Sequence, residues 1–380
     1  MLFEYPKLAA KDDEVLEMIR DFRRNLRHQV ESSPTRWGGF LRRATFARAV
    51  QGSNSIEGIN ANLAEAVAIV DDEKPETLEE ETEKALTCYR RAMTYILALH
   101  RDPYSVIDAQ LIRSLHFMMI EYDLTKLPGQ WRTGSIRVVN EPSGDTVYEG
   151  PPVETVPRLM EELVAQINNH GQVESATVLG AMAHLNLTMI HPFRDGNGRM
   201  ARALQTLVLT RNDIVSPVFC SIEEWLGRNT SDYYAILGEV GQGSWHPEND
   251  PLPWVRFCLR AHYQQATTLM KRYEVIRRVW MEIEKLRKQH GLPERTETAM
   301  VDGAFGFRIK NAHYRELHEI SDAAATRDLK RLAELGLLTA VGERRWRYYV
   351  ATDVLKEILV RCSDRTRAVD PYALLGDKRA

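Results

Sequence analysis

Two neighbouring segments of this chain are apolar almost all round, and a polar turn separates them. Residues 176–190 and 200–210 carry apolar side chains on nearly every face of a helix, a pattern typical of helices buried inside a domain. Pro192 ends the first helix, because the residue before a proline is pushed out of the α region. The sequence therefore predicts two core helices joined by a fixed polar turn.

The turn runs His191-Pro-Phe-Arg-Asp-Gly-Asn-Gly-Arg199, a composition that packing alone does not require. We expect Gly196, Asn197 and Gly198 to lie just before the second helix, where glycine permits positive φ and the close approach of a ligand. The free N–H groups and the positive dipole at a helix N-terminus bind anions. The turn is therefore a predicted polyphosphate site.

The larger side chains of the turn divide by chemistry. Asp195 is a hard oxygen ligand suited to Mg²⁺ that is shared with phosphate oxygens. Arg199 and Arg202 are three residues apart on the second helix and share a face, an arrangement that suits the outer phosphates of a triphosphate. His191 titrates near neutral pH and can take a proton from a hydroxyl group. Phe193 is expected to anchor the turn in the core.

Residues 191–202 contain the full series His-Pro-Phe-x-Asp-Gly-Asn-Gly-Arg-x-x-Arg, and the chain resembles the Fic family. Most members of that family transfer AMP from ATP to a hydroxyl side chain of a target protein. The resemblance implies a mainly α fold with a helical Fic core and a β-hairpin flap. It also implies His191 as the general base and Asp195 as the Mg²⁺ ligand.

The same resemblance assigns the phosphates of ATP. Asn197 and the amides of Gly196 and Gly198 would surround the α- and β-phosphates, and Arg199 and Arg202 would contact the β- and γ-phosphates. Relatives that transfer the terminal phosphate carry lysine in place of Gly198. The glycine in this chain therefore implies AMP transfer.

A second motif lies far upstream, in residues 52–58, and reads Ser-x-x-x-Glu-Gly from Ser53. Ser53 and Glu57 are four residues apart and would share a helix face, and Gly58 is a suitable stop after that helix. Alone, the pattern is an ordinary helix end with a solvated glutamate. With the turn, it resembles the inhibitory motif of Fic proteins, which implies that Glu57 pairs with Arg202 and restrains the enzyme.

A β-hairpin is predicted at residues 135–148, between the two motifs. Its first strand alternates toward β residues, and residues 141–144 have turn chemistry. The hairpin is either a plain surface feature or an edge that takes a target segment as an added strand. The resemblance to the Fic flap favours the second reading and gives the docking residues as Ile136, Arg137, Val138 and Val139.

The adenine pocket is not assigned from the sequence. Helical segments are predicted at about 220–240 and 252–270, and they contain Tyr233, Tyr234, Trp254 and Phe257. Aromatic residues at helical spacing usually belong to a core, so none of them is given a ligand.

The C-terminal part predicts a different unit. A helix at 309–318, a second helix at 322–335 with Ser321 as N-cap, and strands at 337–341 and 344–350 follow one another, an order that resembles a winged helix-turn-helix domain. Basic residues lie on the second helix and on the wing, and the candidates for DNA contacts are Arg327, Lys330, Arg331 and Arg345, beside Arg344 and Arg347. Winged helices also dimerise or dock proteins, so both uses stay open.

Charge divides the chain near residue 270. Residues 271–380 hold 23 Lys and Arg against 17 Asp and Glu, whereas the rest holds 27 basic and 36 acidic residues. We therefore expect an N-terminal helical region with the inhibitory motif at 1–95, a Fic core at 96–270, a winged helix domain at 280–360 and a C-terminal tail at 361–380.

Composition narrows the cellular setting. No run of about 18 apolar residues and no secretory signal is present, so we expect a cytoplasmic protein without a membrane span. The scattered Cys88, Cys220, Cys258 and Cys362 indicate neither a zinc site nor a disulfide framework.

Two functions remain open from the sequence. One is a self-restrained AMP transferase that uses ATP and Mg²⁺ and modifies Tyr, Ser or Thr of a target protein or of itself. The other is a DNA-binding regulator with a nucleotide-sensing Fic core. The intact base His191 and metal ligand Asp195 favour the first. Fic proteins and winged helices both often pair, so a homodimer is among the expected partners.

Overall fold

The computed structural model describes the chain except for residues 76, 101, 103, 140–145, 170–174, 213, 215–220, 344–346, 364–365, 367 and 377–380. The described part is mainly helical. Its helices are α1 (Ala10–Glu31), α2 (Thr35–Ser55), α3 (Leu63–Val70), α4 (Glu80–Leu99), α5 (Ala109–Ile120), α6 (Val156–Asn168), α7 (Ala176–Ile190), α8 (Asn197–Arg211), α9 (Glu223–Arg228), α10 (Thr230–Gly241), α11 (Leu252–Gln289), α12 (Thr296–Ala304), α13 (Asn311–Leu317), α14 (Asp322–Glu334), α15 (Asp353–Cys362) and α16 (Pro371–Leu375).

Two antiparallel pairs of short strands accompany these helices. Strands β1 (Arg137–Val139) and β2 (Thr146–Glu149) form one pair, and β3 (Leu338–Val341) and β4 (Tyr348–Ala351) form the other. The residues that join β1 to β2 lie outside the described part of the chain.

Helices α7 and α8 form the centre of the fold, as their apolar surfaces predict. Both pack with α4, α5 and α6 around a core that includes Leu187, Phe193 and Leu204. Burial of such side chains contributes roughly 1.5–3 kcal/mol each. The polar turn between the two helices is therefore held on a rigid support.

Helix α11 is longer than the sequence suggested and passes through residue 270 without a break. Its first half packs in one core with α1 and α7, and its second half packs in another core with α2 and the C-terminal helices. Tyr263 belongs to the first core and Tyr273 to the second. The change in charge near residue 270 thus falls where one helix moves from one core to the next.

The C-terminal elements occur in the predicted order, α13, α14, β3 and β4. The Ser321 side chain accepts a hydrogen bond from the Ala324 amide and caps α14, and Gly336 follows that helix with φ of 70°. Strand β4 begins at Tyr348, and Arg344 and Arg345 lie outside the described residues. Within the described residues, no helix combines the length and apolarity needed to cross a membrane.

Candidate active site

The polar turn starts and ends with left-handed backbone. Helix α7 ends at Ile190, and His191 has φ of 52°, so the chain reverses at the predicted position. Gly196, with φ of 74°, is the N-cap of α8. The expectation that Asn197 and Gly198 precede the helix is wrong, because α8 already begins at Asn197. The amides of its first turn nevertheless face the site, as an anion site requires.

Asn197 starts the helix early because its side chain closes the turn. Its Oδ1 accepts from the Phe193 amide at 2.8 Å, and its Nδ2 donates to the Phe193 carbonyl at 2.9 Å. The side chain is 2% exposed. Asn197 therefore holds the loop in shape in this structure, and its expected contact with phosphates stays a prediction.

His191 has one ring nitrogen engaged by the backbone. Its Nδ1 lies 3.1 Å from the carbonyl oxygen of Thr188. A carbonyl oxygen only accepts, so Nδ1 carries the proton and Nε2 has the free lone pair. Burial lowers the pKa of His191 below its usual range. The imidazole is thus neutral at physiological pH and can act as a base through Nε2.

A second histidine, His116 on α5, supports the turn from behind. Its ring stacks on Phe193 with centroids 3.6 Å apart. Its Nδ1 accepts from the Gly129 amide, so its Nε2 carries the proton and donates to the Asp195 carbonyl at 2.9 Å. Burial lowers the pKa of His116 to about 4, which keeps the ring neutral. Sequence patterns gave no sign of this residue.

Asp195 is paired with a lysine that sequence reasoning also missed. Its Oδ1 accepts from the Gly196 amide at 2.6 Å, and its Oδ2 lies 2.9 Å from Nζ of Lys126. Burial raises the pKa of this carboxyl. The hydrogen bond and the charge of Lys126 lower the pKa, and the net shift is downward. Asp195 is therefore ionised and attracts a cation at Oδ2.

This arrangement suits Mg²⁺ with one protein ligand. The half-buried carboxylate already holds a cation at Oδ2, so its donor chemistry fits the ion. Among the described residues, no cluster of three or more His, Cys, Asp and Glu side chains could hold a metal alone. An ion at Asp195 would need further oxygen atoms from a ligand, as phosphates supply.

The two arginines of α8 are almost fully buried. Arg199 Nη1 donates to the Tyr122 hydroxyl at 3.3 Å, and its buried Nε makes no hydrogen bond with the described residues. Arg202 is tied to the end of α2: its Nε donates to Ser53 Oγ at 2.8 Å, and its Nη2 donates to the Ser53 carbonyl at 2.9 Å. The two motifs of the sequence therefore meet in space.

Glu57 completes that contact. Its Oε1 lies 2.6 Å from Nη2 of Arg202, and Gly58 follows with φ of 76°. The sequence placed Glu57 on the helix, but α2 ends at Ser55 and Glu57 lies in the following turn, where its amide bonds the Asn54 carbonyl. The turn moves the carboxylate off the helix surface and into the site.

The carboxylate of Glu57 lies directly against the first turn of α8. A Cβ atom at Gly198 would collide with Glu57 Oε1 and would approach Arg202 Nη1. Glu57 thus has the position that an anion would take at this helix N-terminus. Burial lowers the pKa of Arg202, but its neighbours, Glu57 foremost, raise it by more, so the net shift is upward and the guanidinium stays charged.

Arg132 joins the hairpin to the turn, and it too was missed from the sequence. Its Nε donates to the His191 carbonyl at 2.9 Å, its Nη1 to the Gly134 carbonyl and its Nη2 to the Pro151 carbonyl. Both ends of the hairpin are therefore fastened to the residue that carries the base.

The hairpin has one strand toward the core and one outside. Tyr148 of β2 donates to the Met189 carbonyl at 2.7 Å, and the Glu149 amide donates to the Gly243 carbonyl. Within the described part of the chain, β1 pairs with β2 alone, so its other edge is open. Of the predicted docking residues, Arg137, Val138 and Val139 form β1, and Ile136 directly precedes it; the Val139 side chain lies outside the part of the chain that the structure describes.

Three of the four aromatic residues left unassigned belong to the core. Tyr233, Trp254 and Phe257 are buried, and the Tyr233 hydroxyl lies 3.0 Å from Nε2 of His184. Tyr234 is 50% exposed, and its hydroxyl donates to the Ile56 carbonyl beside Glu57.

The candidate DNA contacts lie away from this site. Arg327, Lys330 and Arg331 are exposed on α14, whereas Arg345 is outside the described residues. Asp328 on the same helix is buried, and its Oδ2 lies 2.6 Å from Nε of Arg295. On the exposed face, Lys330 and Arg331 lie 3.8 and 3.6 Å from the carboxylate of Glu334.

The chain is similar to proteins of the Fic group. Residues 106–209 match the sequence model of the Fic/DOC family. The protein adenylyltransferase fic-1 of Caenorhabditis elegans is 25% identical over 267 residues, which cover 67% of this chain and 46% of that protein. The protein adenylyltransferase Fic of Nematostella vectensis is 24% identical, and the matched residues cover 55% of that protein. The chain thus spans about half the length of the curated relatives it matches.

Solved structures agree in fold. A Fic family protein from Desulfovibrio desulfuricans has a TM-score of 0.58 at 20% identity, covering 92% of this chain and 98% of the other. A Fic domain containing signaling protein from Bacteroides thetaiotaomicron has a TM-score of 0.56 at 18% identity, with 70% and 97% covered. These structures share the fold of this chain, and the similarity to the Fic/DOC family model lies in residues 106–209.

Proposed function

We propose that this chain is a protein adenylyltransferase that transfers AMP from ATP to a hydroxyl side chain of a target protein, and that Glu57 restrains it. The observation that carries the proposal is the Glu57 carboxylate, which lies against Gly198 and bonds Arg202 beside a histidine with a free Nε2. The names of the curated relatives support the choice of reaction.

In this mechanism the target hydroxyl oxygen attacks the α-phosphorus of ATP, and His191 Nε2 takes the hydroxyl proton. The bond between the α-phosphorus and the bridging oxygen breaks, and pyrophosphate leaves. The first amides of α8, with Arg199 and Arg202, hold the phosphates. Mg²⁺ on Asp195 would neutralise charge on the phosphate oxygens. The open edge of β1 would align a target strand so that its hydroxyl reaches His191.

Removal of Glu57 tests the restraint. Glu57→Gly should raise transfer from ATP labelled at the α-phosphate by about tenfold or more, since hydrogen bonds to charged groups contribute roughly 1.5–3 kcal/mol. Glu319→Gly, also in a turn after a helix, is the matched control and should change nothing. Unchanged labelling in Glu57→Gly would argue against restraint by this residue.

A second variant tests the chemistry. His191→Ala in the Glu57→Gly protein should abolish labelling while ATP still binds. ATP labelled at the γ-phosphate should leave no label on protein in any variant. Label from the γ-phosphate on the protein would mean that the chain transfers phosphate and not AMP.

A DNA-binding regulator is the second candidate function. It is favoured by the exposed positions of Arg327, Lys330 and Arg331 on one helix and by the burial of Asp328 beneath them. In this candidate the C-terminal elements would act as a winged helix domain that contacts phosphates of duplex DNA.

A further inference from the structure

A chain of buried hydrogen bonds leads from Arg202 away from the polar turn. Arg202 Nε donates to Ser53 Oγ at 2.8 Å, Ser53 Oγ donates to the Tyr89 hydroxyl at 2.8 Å, and that hydroxyl donates to Glu223 Oε1 at 2.5 Å. All four side chains are at most 2% exposed. Each hydroxyl accepts one bond and donates one, so the chain has a single direction from cation to anion.

The series of hydrogen bonds ends at a carboxylate, that of Glu223. Glu223 accepts from Tyr89 at Oε1 and from the Ser221 hydroxyl at Oε2, so both oxygens act as acceptors. In the part of the chain that the structure describes, Glu223 takes part in no ion pair. A buried anion requires compensation, and Arg202 at the other end of the hydrogen bonds supplies it.

We propose that Tyr89 and Glu223 are positioning residues that orient Arg202 toward the outer phosphate of the nucleotide. This inference rests on the proposed function. A serine hydroxyl rotates freely, but donation to Tyr89 fixes the Ser53 hydroxyl with a lone pair toward Arg202 Nε. The Ser53 carbonyl fixes Nη2, which leaves Nη1 beside Gly198.

The series of hydrogen bonds from Arg202 to Glu223 does not include Glu57, although this series and Glu57 both act on the Arg202 guanidinium. Helices α2, α4 and α9 contribute Ser53, Tyr89 and Glu223, and none of the hydrogen bonds that join these three residues involves Glu57. The guanidinium is then already oriented when the carboxylate leaves, so little entropy is lost on binding phosphate. Glu57 blocks the site for phosphate, and the buried hydrogen bonds orient Arg202 for binding.

The test compares ATP with ADP in the Glu57→Gly protein, by titration calorimetry at fixed Mg²⁺. Tyr89→Phe removes the hydroxyl between Ser53 and Glu223, and Glu223→Gln keeps an acceptor but removes the charge. Each should weaken ATP binding by roughly fivefold to tenfold and ADP binding much less, because ADP lacks the outer phosphate. Tyr273→Phe, which removes a buried hydroxyl bonded to the Gln29 carbonyl, should leave the ATP to ADP ratio unchanged.

The outcomes separate positioning from general stability. Equal weakening of ATP and ADP, or no change in either variant, would overturn the proposal, because a structural defect does not single out the outer phosphate. A Glu57→Gly parent that binds neither nucleotide would overturn both this inference and the proposed function. Retained ATP binding with an unchanged ratio would leave the proposed function in place and remove the role of Tyr89 and Glu223.

Discussion

At the scale of single residues, Lys126 has the position on Asp195 that a divalent cation would take. Its Nζ also lies 3.8 Å from Asp123 and stands over the Tyr122 ring. A bound Mg²⁺ would have to displace this ammonium group from Oδ2 and would be repelled by it. In the proposed mechanism, Lys126 would therefore raise the Mg²⁺ concentration that the site requires.

Replacing this lysine should make the metal bind more tightly. In Lys126→Met, the apparent Kd for Mn²⁺ in the presence of ADP should fall roughly threefold to tenfold, as measured by the electron paramagnetic resonance of free Mn²⁺. Lys84→Met on α4, which removes a lysine paired with Glu80, should have no effect. Weaker Mn²⁺ binding in Lys126→Met would mean that the lysine supports the bound ligand instead.

The sequence predicts the site residues that lie close together along the chain, and it does not predict those that reach the site from distant segments. His191, Asp195 and Arg202 share one short segment, so their order carried the chemistry. His116 and Arg132 contact the same turn from 79 and 59 residues away, each as a single polar residue in an ordinary element. Their roles arise from tertiary packing, and no local spacing records that.

At the scale of elements, the ends of helices differed from expectation where side chains override propensity. Asn197 closes on Phe193 and starts α8 early, and Glu57 falls in a turn that continues past α2. Helix α11 extends to Gln289 because no proline or glycine interrupts residues 254–290 and because two cores bury its surface. Apolar periodicity predicted that these helices exist, but not where tertiary contacts end them.

Helix α14 carries its own prediction. If its exposed face binds phosphates, random duplex DNA should be retarded in a gel at low salt, and the affinity should fall steeply as salt rises, because bound counterions are released. Replacing Arg327 and Arg331 together with alanine should weaken binding and reduce the salt slope by about two. Lys356→Ala on α15 is the control. No retardation at low salt would remove DNA as a partner.

At the scale of the whole molecule, helix α2 belongs to two environments. The C-terminal end of α2 brings Ser53 into contact with Arg202, whereas Phe40 and Leu41 pack in one core with the C-terminal helices. The sequence assigned residues 1–95 and 280–360 to separate regions, because charge and motifs are read along the chain. That these regions share a core depends on contacts between residues more than 200 positions apart, such as Arg43 with Asp302.

Arg43 is the polar centre of that shared core. It donates to both oxygens of Asp71 and to both oxygens of Asp302, which is 7% exposed. Arg43→Ala would leave a buried carboxylate unpaired, a change that typically lowers the free energy of unfolding by about 3–5 kcal/mol. Denaturant unfolding at neutral pH should show this loss, and Arg42→Ala, at an exposed position on the same helix, should not.

The loss in Arg43→Ala should also depend on pH. Burial raises the pKa of Asp302 above its unfolded value, and Arg43 offsets part of that rise in the wild-type chain. Without Arg43, the folded carboxyl binds its proton more tightly than the unfolded one, so the variant loses stability as pH rises above the unfolded pKa of about 3.9. The difference from wild type should therefore be smaller at pH ~5 than at pH ~8. A difference that is constant across this range would mean that Asp302 does not carry the charge that Arg43 neutralises.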